Sequence, residues 1–331
     1  MIVRLCQLDG KLPNLALMKL AHWHRAHGDR VHFARSVYPQ LGEPTYDRVY
    51  GSAIFRFSTA AIEAFKREWP NGILGGTGTE STATVEDMTG EYELYDYSDY
   101  PHFTASIGFT QRGCRLSCKF CVVPQKEGKP RSVNTIAQIW RGDPWPKHLH
   151  LLDNDFFGNP DWRDRLAEIK TGGFKVCLNQ GINIRMIDDI SAEALAGVDY
   201  RDDSFTTKRL YTAWDNLGDE KRFFDGVERL KLAGIPPNHL MVYMLIGYAK
   251  DETWDAIFYR FNRMKGFGIN PYPMVYDRSR KDLLRFQRWV IRRYHEFIPW
   301  EAYGKSPVAE IDAQPSLFEP KPVQLTLGGG E

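Results

Sequence analysis

The sequence is poor in cysteine, in net charge and in long apolar runs, and each shortage removes a class of protein. Five cysteines in 331 residues are too few for a disulfide scaffold. A formal net charge of +1 excludes whole-surface attraction to nucleic acid but leaves room for a local basic patch. No apolar run approaches the roughly 20 residues that span a bilayer. The opening "MIVRLCQLDG" has no apolar segment followed by a small-residue cleavage site. These absences predict a cytoplasmic protein with no membrane partner. What is present, 43% hydrophobic and 26% charged residues, suffices for a sizeable core divided between two domains.

Three of the five cysteines, Cys114, Cys118 and Cys121, fall within eight residues of one another in "GCRLSCKFC". In a reducing compartment, clustered cysteines predict metal ligation rather than disulfides. C-x3-C-x2-C on a loop lets three thiolates meet one soft centre, zinc or the iron of an iron–sulfur cluster. A structural zinc would close its fourth position with a nearby Cys or His, and none follows at the usual spacing. Only Cys177 and His102 are distant candidates.

From Met1 to about Glu80, short apolar strands alternate with helices: "MIVRLCQL", "PNLALMKLAHWHRAHG", "RVHFAR", "YDRVYGSAIF", "TAAIEAFKREW", "GILGG". Pro13 opens the first helix and Gly28 follows its end. This is a small Rossmann-like α/β unit. The acidic, tyrosine-rich "STATVEDMTGEYELYDYSDYPH" has no period and predicts a connector. Strands are then expected at "FTASIGF", "HLHLLDN", "FKVCLNQ", "RLYTAWD", "LMVYMLIGY" and "INPYPMVY", with helices between them. Six βα repeats over roughly 200 residues predict a partial (β/α)6 TIM-like barrel, with its site at the C-terminal ends of the strands. The domains are thus 1–95, 96–303 and a flexible tail, 304–331. The cysteines directly follow the first barrel strand, on the face expected to carry chemistry.

"GCRLSCKFC", with Phe120 before the last cysteine, resembles the cluster loop of radical S-adenosylmethionine (SAM) enzymes. The resemblance implies a [4Fe–4S] cluster on Cys114, Cys118 and Cys121, SAM bound at its fourth iron, and reductive cleavage to a 5′-deoxyadenosyl radical. It also implies an electron donor such as flavodoxin or ferredoxin. Further SAM-contacting positions would be Asp153, Asn154 and Asp155 in "LLDNDFFG", Asn179, Gln180 and Arg185 in "NQGINIR", Asp215 and Asn216 in "AWDN", and Gly247 in "IGYAKDE". For the acidic trio the competing expectation is a helix cap ahead of "PDWRDRL". The domain order resembles the subgroup with an N-terminal cobalamin-binding domain, which implies cobalamin near the turn of Gly75, Gly76 and Gly78. That subgroup's Asp-x-His-x-x-Gly motif is missing, however: "LDGKLPN" has Asp9 and Gly10 without the histidine. The related methylthiotransferases carry three further cysteines in the N-terminal region, where this chain has only Cys6. The competing function is a metal-stabilised nucleic-acid or regulatory module without catalysis.

Two features lie outside this scheme. Lys281, Arg285, Arg288 and Arg292 recur at helical spacing and form a basic stripe, which reads either as the solvated face of an outer helix or as a contact for a phosphate-bearing substrate such as tRNA or DNA. In the tail, "QPSLFEP" resembles peptides that dock on DNA sliding clamps through a glutamine and two apolar residues, here Leu317 and Phe318; the competing expectation is a strap that buries both on the chain's own barrel.

Overall fold

A computed structural model describes residues 1–90 and 92–304. The first unit contains β1 (Ile2–Gln7), α1 (Leu15–Ala26), β2 (Arg30–Ala34), β3 (Arg48–Ser52), α2 (Thr59–Glu68) and β4 (Ile73–Gly75). Its strands are parallel, in the order β2-β1-β3-β4. A central parallel strand is covered on both faces, so β1 is buried on both, with Arg4 on the α2 side neutralised by Glu43 and bonded to Ser36 O and Tyr38 O. Val3 and Leu5 meet Leu17, Leu20 and Ala21 of α1, whereas Cys6 packs with Val49 and Phe65 on the α2 side. Asn14 caps α1 by accepting from the Leu17 N–H at 3.2 Å, one residue after Pro13. Gly28, at φ +78°, provides the left-handed turn beyond its end.

The acidic, tyrosine-rich segment is a strap rather than a loose connector. After α3 (Glu86–Thr89), Tyr100 donates from its hydroxyl to Gln7 Oε1 at 2.9 Å and accepts from the Asn14 N–H at 3.1 Å. Tyr97 accepts from the Ile107 N–H at 2.9 Å, and Arg25 pairs with Asp96 and Asp99. The tyrosines thus tie the first sheet to the strand that carries the cysteine loop. Their lack of period follows from serving two surfaces at once.

The second part runs β5 (Ser106–Gly108), β6 (Gln111–Arg112), α4 (Val123–Glu127), β7 (Arg131–Ser132), α5 (Ile136–Ile139), β8 (His148–Leu151), α6 (Trp162–Gly172), β9 (Lys175–Leu178) and α7 (Asp189–Ala196). It continues through β10 (Asp199–Tyr200), β11 (Leu210–Ala213), α8 (Glu220–Leu232), β12 (Leu240–Ile246), α9 (Trp254–Gly266), β13 (Asn270–Val275), α10 (Lys281–Ile291) and α11 (Trp300–Tyr303). All six strands expected here are present and parallel to their neighbours, but they form two sheets, β10-β9-β8-β5 and β11-β12-β13, and no barrel closes among the described residues. The cause is β10. It occupies the free edge of β9 in the register Asp199↔Lys175, so only the segment beyond Gly181 reaches β11, through Ile182 N–H to Tyr211 O at 2.8 Å.

Side chains alternate cleanly across these sheets. In β12, Leu240, Val242, Met244 and Ile246 are buried in the layer shared with the helices, together with Leu149, Leu151, Val176 and Leu178. The opposite face carries Cys177, Tyr211 and Ala105, sealed by Phe205. Cys177 is fully buried there as a packing residue. No helix among the described residues is long and apolar enough to cross a membrane. The peptide Gln314–Pro320, with Leu317 and Phe318, lies outside the described residues.

Candidate functional site

The cysteine loop leaves the C-terminal end of β5 and is closed at its base by the antiparallel β6–β7 ladder, Gln111↔Ser132 and Arg112↔Arg131. Gly113 sits at φ +86°, and a Cβ there would stand 2.3 Å from Lys129 O, so only glycine lets the two arms approach. Inside the loop the Cys114 N–H donates to Gly128 O at 3.2 Å and the Cys121 N–H to Cys118 O at 3.0 Å. All three cysteines are free and half-buried. The Leu116 N–H donates to Cys114 Sγ at 3.4 Å, and the Arg185 guanidinium lies near enough to Cys118 to act on it electrostatically. Burial pushes the Cys114 thiol up to about 11 and raises that of Cys121.

The acidic trio after β8 holds this loop from beneath. Asp153, 2% exposed, accepts from the Thr110 N–H at 2.7 Å, the Gln111 N–H at 3.1 Å and the Thr110 hydroxyl. Burial outweighs these donors and lifts its carboxyl to about 7. Asp155 accepts from Arg115 at Nε (2.6 Å), Nη2 (2.8 Å) and the backbone N–H (3.2 Å). Asn154 donates to Glu127 Oε2 at 3.2 Å, and the same oxygen accepts from the Gly113 N–H at 2.9 Å. The trio was expected to face a ligand ammonium; its carboxylates are instead taken by the loop's own N–H groups and by Arg115.

Other strand ends converge from above. Beyond β9, Arg185 pairs with Asp219 beside Cys118, with Nη1 2.5 Å from Asp219 Oδ2; Asn216, past β11, donates to the same carboxylate at 2.8 Å. Asp215 acts electrostatically on Cys121, accepts from the Leu245 N–H at 3.1 Å, and has its pKa raised by burial. Phe120 meets Tyr248 edge to face at 5.4 Å, and Tyr248 meets Tyr276 at 4.9 Å. Gly247 lies at φ +77° with its N–H 2.6 Å from Glu252 Oε2, lining a cleft of about 220 Å3 with Ala249, Lys250, Asp277 and Arg280. Asn179 points the other way, its Oδ1 3.0 Å from His150 Nδ1 beneath the site. Gln180 is half-buried beside it. His102 is exposed on a turn.

Several contributors escaped the sequence reading. Arg115, Glu127 and Tyr248 have no periodicity to betray them. Arg260 did leave a signal, an arginine within the buried stripe Ile257–Phe261–Met264. It is 1% exposed and donates to Trp214 O, Asp215 O and Leu245 O at 3.0–3.1 Å, clamping the ends of β11 and β12.

A cavity of about 670 Å3 separates the cysteine loop from the first sheet, bounded by Leu17, Gly75, Thr79, Arg112, Val123 and Asn154. No histidine or cysteine lines it. The glycine turn beside it is shaped by its own packing: a Cβ at Gly76 would stand 2.1 Å from Ala53 O, and one at Gly78 2.5 Å from Phe55 O.

No family model matches this chain, nor does any curated protein or solved structure. Function is therefore argued from the loop and its neighbours. Among the described residues, no group of three or more Cys, His, Asp or Glu is drawn together as a metal site. The donor chemistry nonetheless suits an iron–sulfur cluster: three free thiols on one glycine-closed loop, with an N–H directed at one sulfur and a guanidinium in the electrostatic surroundings of another.

Proposed function

We propose that the chain is a radical SAM enzyme in which Cys114, Cys118 and Cys121 hold a [4Fe–4S] cluster. One observation carries the assignment. Residues after three other strands surround the cysteine loop at one end of the sheets, where a parallel α/β protein collects its chemistry: Tyr248 packs on Phe120, while Arg185 and Asp215 act electrostatically on Cys118 and Cys121. On this proposal the six parallel strands are a partial barrel wall broken by β10, following a Rossmann-like unit over about residues 1–95. When bound, the cluster and SAM supply one-electron cleavage of SAM to methionine and a 5′-deoxyadenosyl radical that abstracts hydrogen from the substrate.

The chain's own residues bind and orient. Asp153 and Asp155 fix the loop that presents the thiolates, since their bonds go to Thr110, Gln111 and Arg115 at its start. Arg185, paired with Asp219, keeps a cation beside the Cys118 position of the loop. Phe120, Tyr248 and Tyr276 form an aromatic wall that excludes water on one side. The cleft beside Gly247 is lined by Lys250, Asp277 and Arg280, polar groups suited to a nucleoside. The large cavity supplies no histidine or cysteine as a lower ligand, so a cobalamin held there would be bound without one. The protein would work in the reducing cytoplasm with flavodoxin or ferredoxin as donor, on a substrate undergoing hydrogen abstraction, with methyl transfer or rearrangement as subsequent chemistry. Anaerobic reconstitution tests the ligand set. The proposal expects about four irons and matching sulfide per chain, with a visible charge-transfer band; a single zinc with no band would support the non-catalytic metal module instead.

A further inference from the structure

We infer that the exposed face of α10 binds a single strand of nucleic acid through its phosphates. Residues 277–293 hold seven cations and two carboxylates in a chain of net charge +1, so positive charge is concentrated here. Arg280 is neutralised by Asp282, and Arg293 by Glu296. Lys281, Arg285, Arg288 and Arg292 form no ion pair among the described residues. Their spacing of three and four residues aligns them along one helix face, over about 16 Å, with one cation per turn of roughly 5.4 Å. That repeat follows the phosphates of one strand. Phe297, 80% exposed just past the helix, offers a face on which a base can stack.

A membrane surface is the less fitting partner. Leu283, Phe286, Trp289 and Val290, the apolar side of α10, are all at most 5% exposed and cannot enter a bilayer. The stripe begins at Lys281, directly after Arg280 on the rim of the cleft beside Gly247, so a bound strand starts next to the candidate site. The inference does not depend on the metal assignment, because binding is measured without SAM or reductant.

Anisotropy of a labelled, roughly 20-nucleotide single strand, titrated with the full chain from about 50 to 300 mM KCl, tests it. Saturable binding is expected, with a log Kd against log salt slope near 3 in magnitude for four phosphates. The double variant Lys281→Gln/Arg292→Gln leaves the Arg285–Trp300 contact at 4.8 Å intact and is expected to lower the slope by about 1.4. Phe297→Ala is expected to weaken binding about tenfold with the slope unchanged. Lys221→Gln/Lys231→Gln, on α8, removes the same charge elsewhere and should change neither quantity. No binding at low salt, an unaltered slope in the stripe variant, or tighter binding to anionic phosphatidylserine vesicles or duplex DNA than to the single strand would overturn the inference.

Discussion

Asp155→Asn should separate the stability of the cysteine loop from that of the protein. Asp155 is 0% exposed at its side chain and receives Arg115 at two guanidinium nitrogens, 2.6 and 2.8 Å away, with Arg115 29% exposed. Asparagine keeps the shape but turns an amide N–H2 toward the guanidinium and removes the charge. Breaking a buried ion pair by removing one partner costs roughly 3–5 kcal/mol, and water access to Arg115 reduces this to about 2–3 kcal/mol. The loss falls on a loop whose base is a ladder of two residue pairs, so it favours local opening over global unfolding. A metal bound only by the closed loop should then be held roughly 30- to 150-fold more weakly. The assay is iron retained by the reconstituted protein against increasing chelator, alongside the melting temperature of the metal-free chain. Retention equal to wild type would refute the anchoring role; a collapse in melting temperature with secondary structure lost would show that the pair supports the fold instead.

Gly247→Val forces a β-branched residue to φ +77° with its Cβ 2.5 Å from Leu283 Cδ1, so a loss of about 2–4 kcal/mol and weaker SAM binding are expected by thermal melts and titration. Normal SAM affinity in the folded variant would remove Gly247 from the site. Tyr100→Phe deletes two buried bonds, to Gln7 and Asn14, and should cost about 2 kcal/mol by denaturant melts; an unchanged midpoint would contradict the strap. Burial lowers His150 to about 4, below its usual 6.5, so the unfolded chain takes up a proton that the folded chain refuses. Stability from this residue is complete above about pH 6.5 and is lost as pH falls toward 4, by up to about 3 kcal/mol. In His150→Asn the slope of stability against pH over that window should be shallower by up to one proton, and equal slopes would refute the shift.

The strands were legible because both sheets of the second part, and β1 in the first, bury apolar side chains that appear as short runs in the sequence. β10 was not: two residues, Asp199 and Tyr200, carry no pattern, yet they alter the sheet by occupying the edge of β9. The place of the cysteine loop, directly after the first strand of the second part, was legible from the order of apolar runs. Its supports were only partly so, since polarity at a strand end does not reveal whether Asp153 and Asp155 face a ligand or their own backbone. Here the N–H groups of Thr110, Gln111 and Arg115 reach them first. Arg260 shows the converse: an arginine in an apolar helical stripe was a visible sign, left unread, of a clamp on the strand ends.

The most direct test of the central claim is anaerobic SAM cleavage by the reconstituted, reduced protein, with 5′-deoxyadenosine quantified and the cluster followed by electron paramagnetic resonance. The account expects a reduced-cluster signal that changes when SAM is added, formation of 5′-deoxyadenosine, and loss of both in a folded Cys118→Ala variant. Cleavage retained by that variant, or a wild-type protein that binds iron yet neither responds to SAM nor cleaves it, would contradict it.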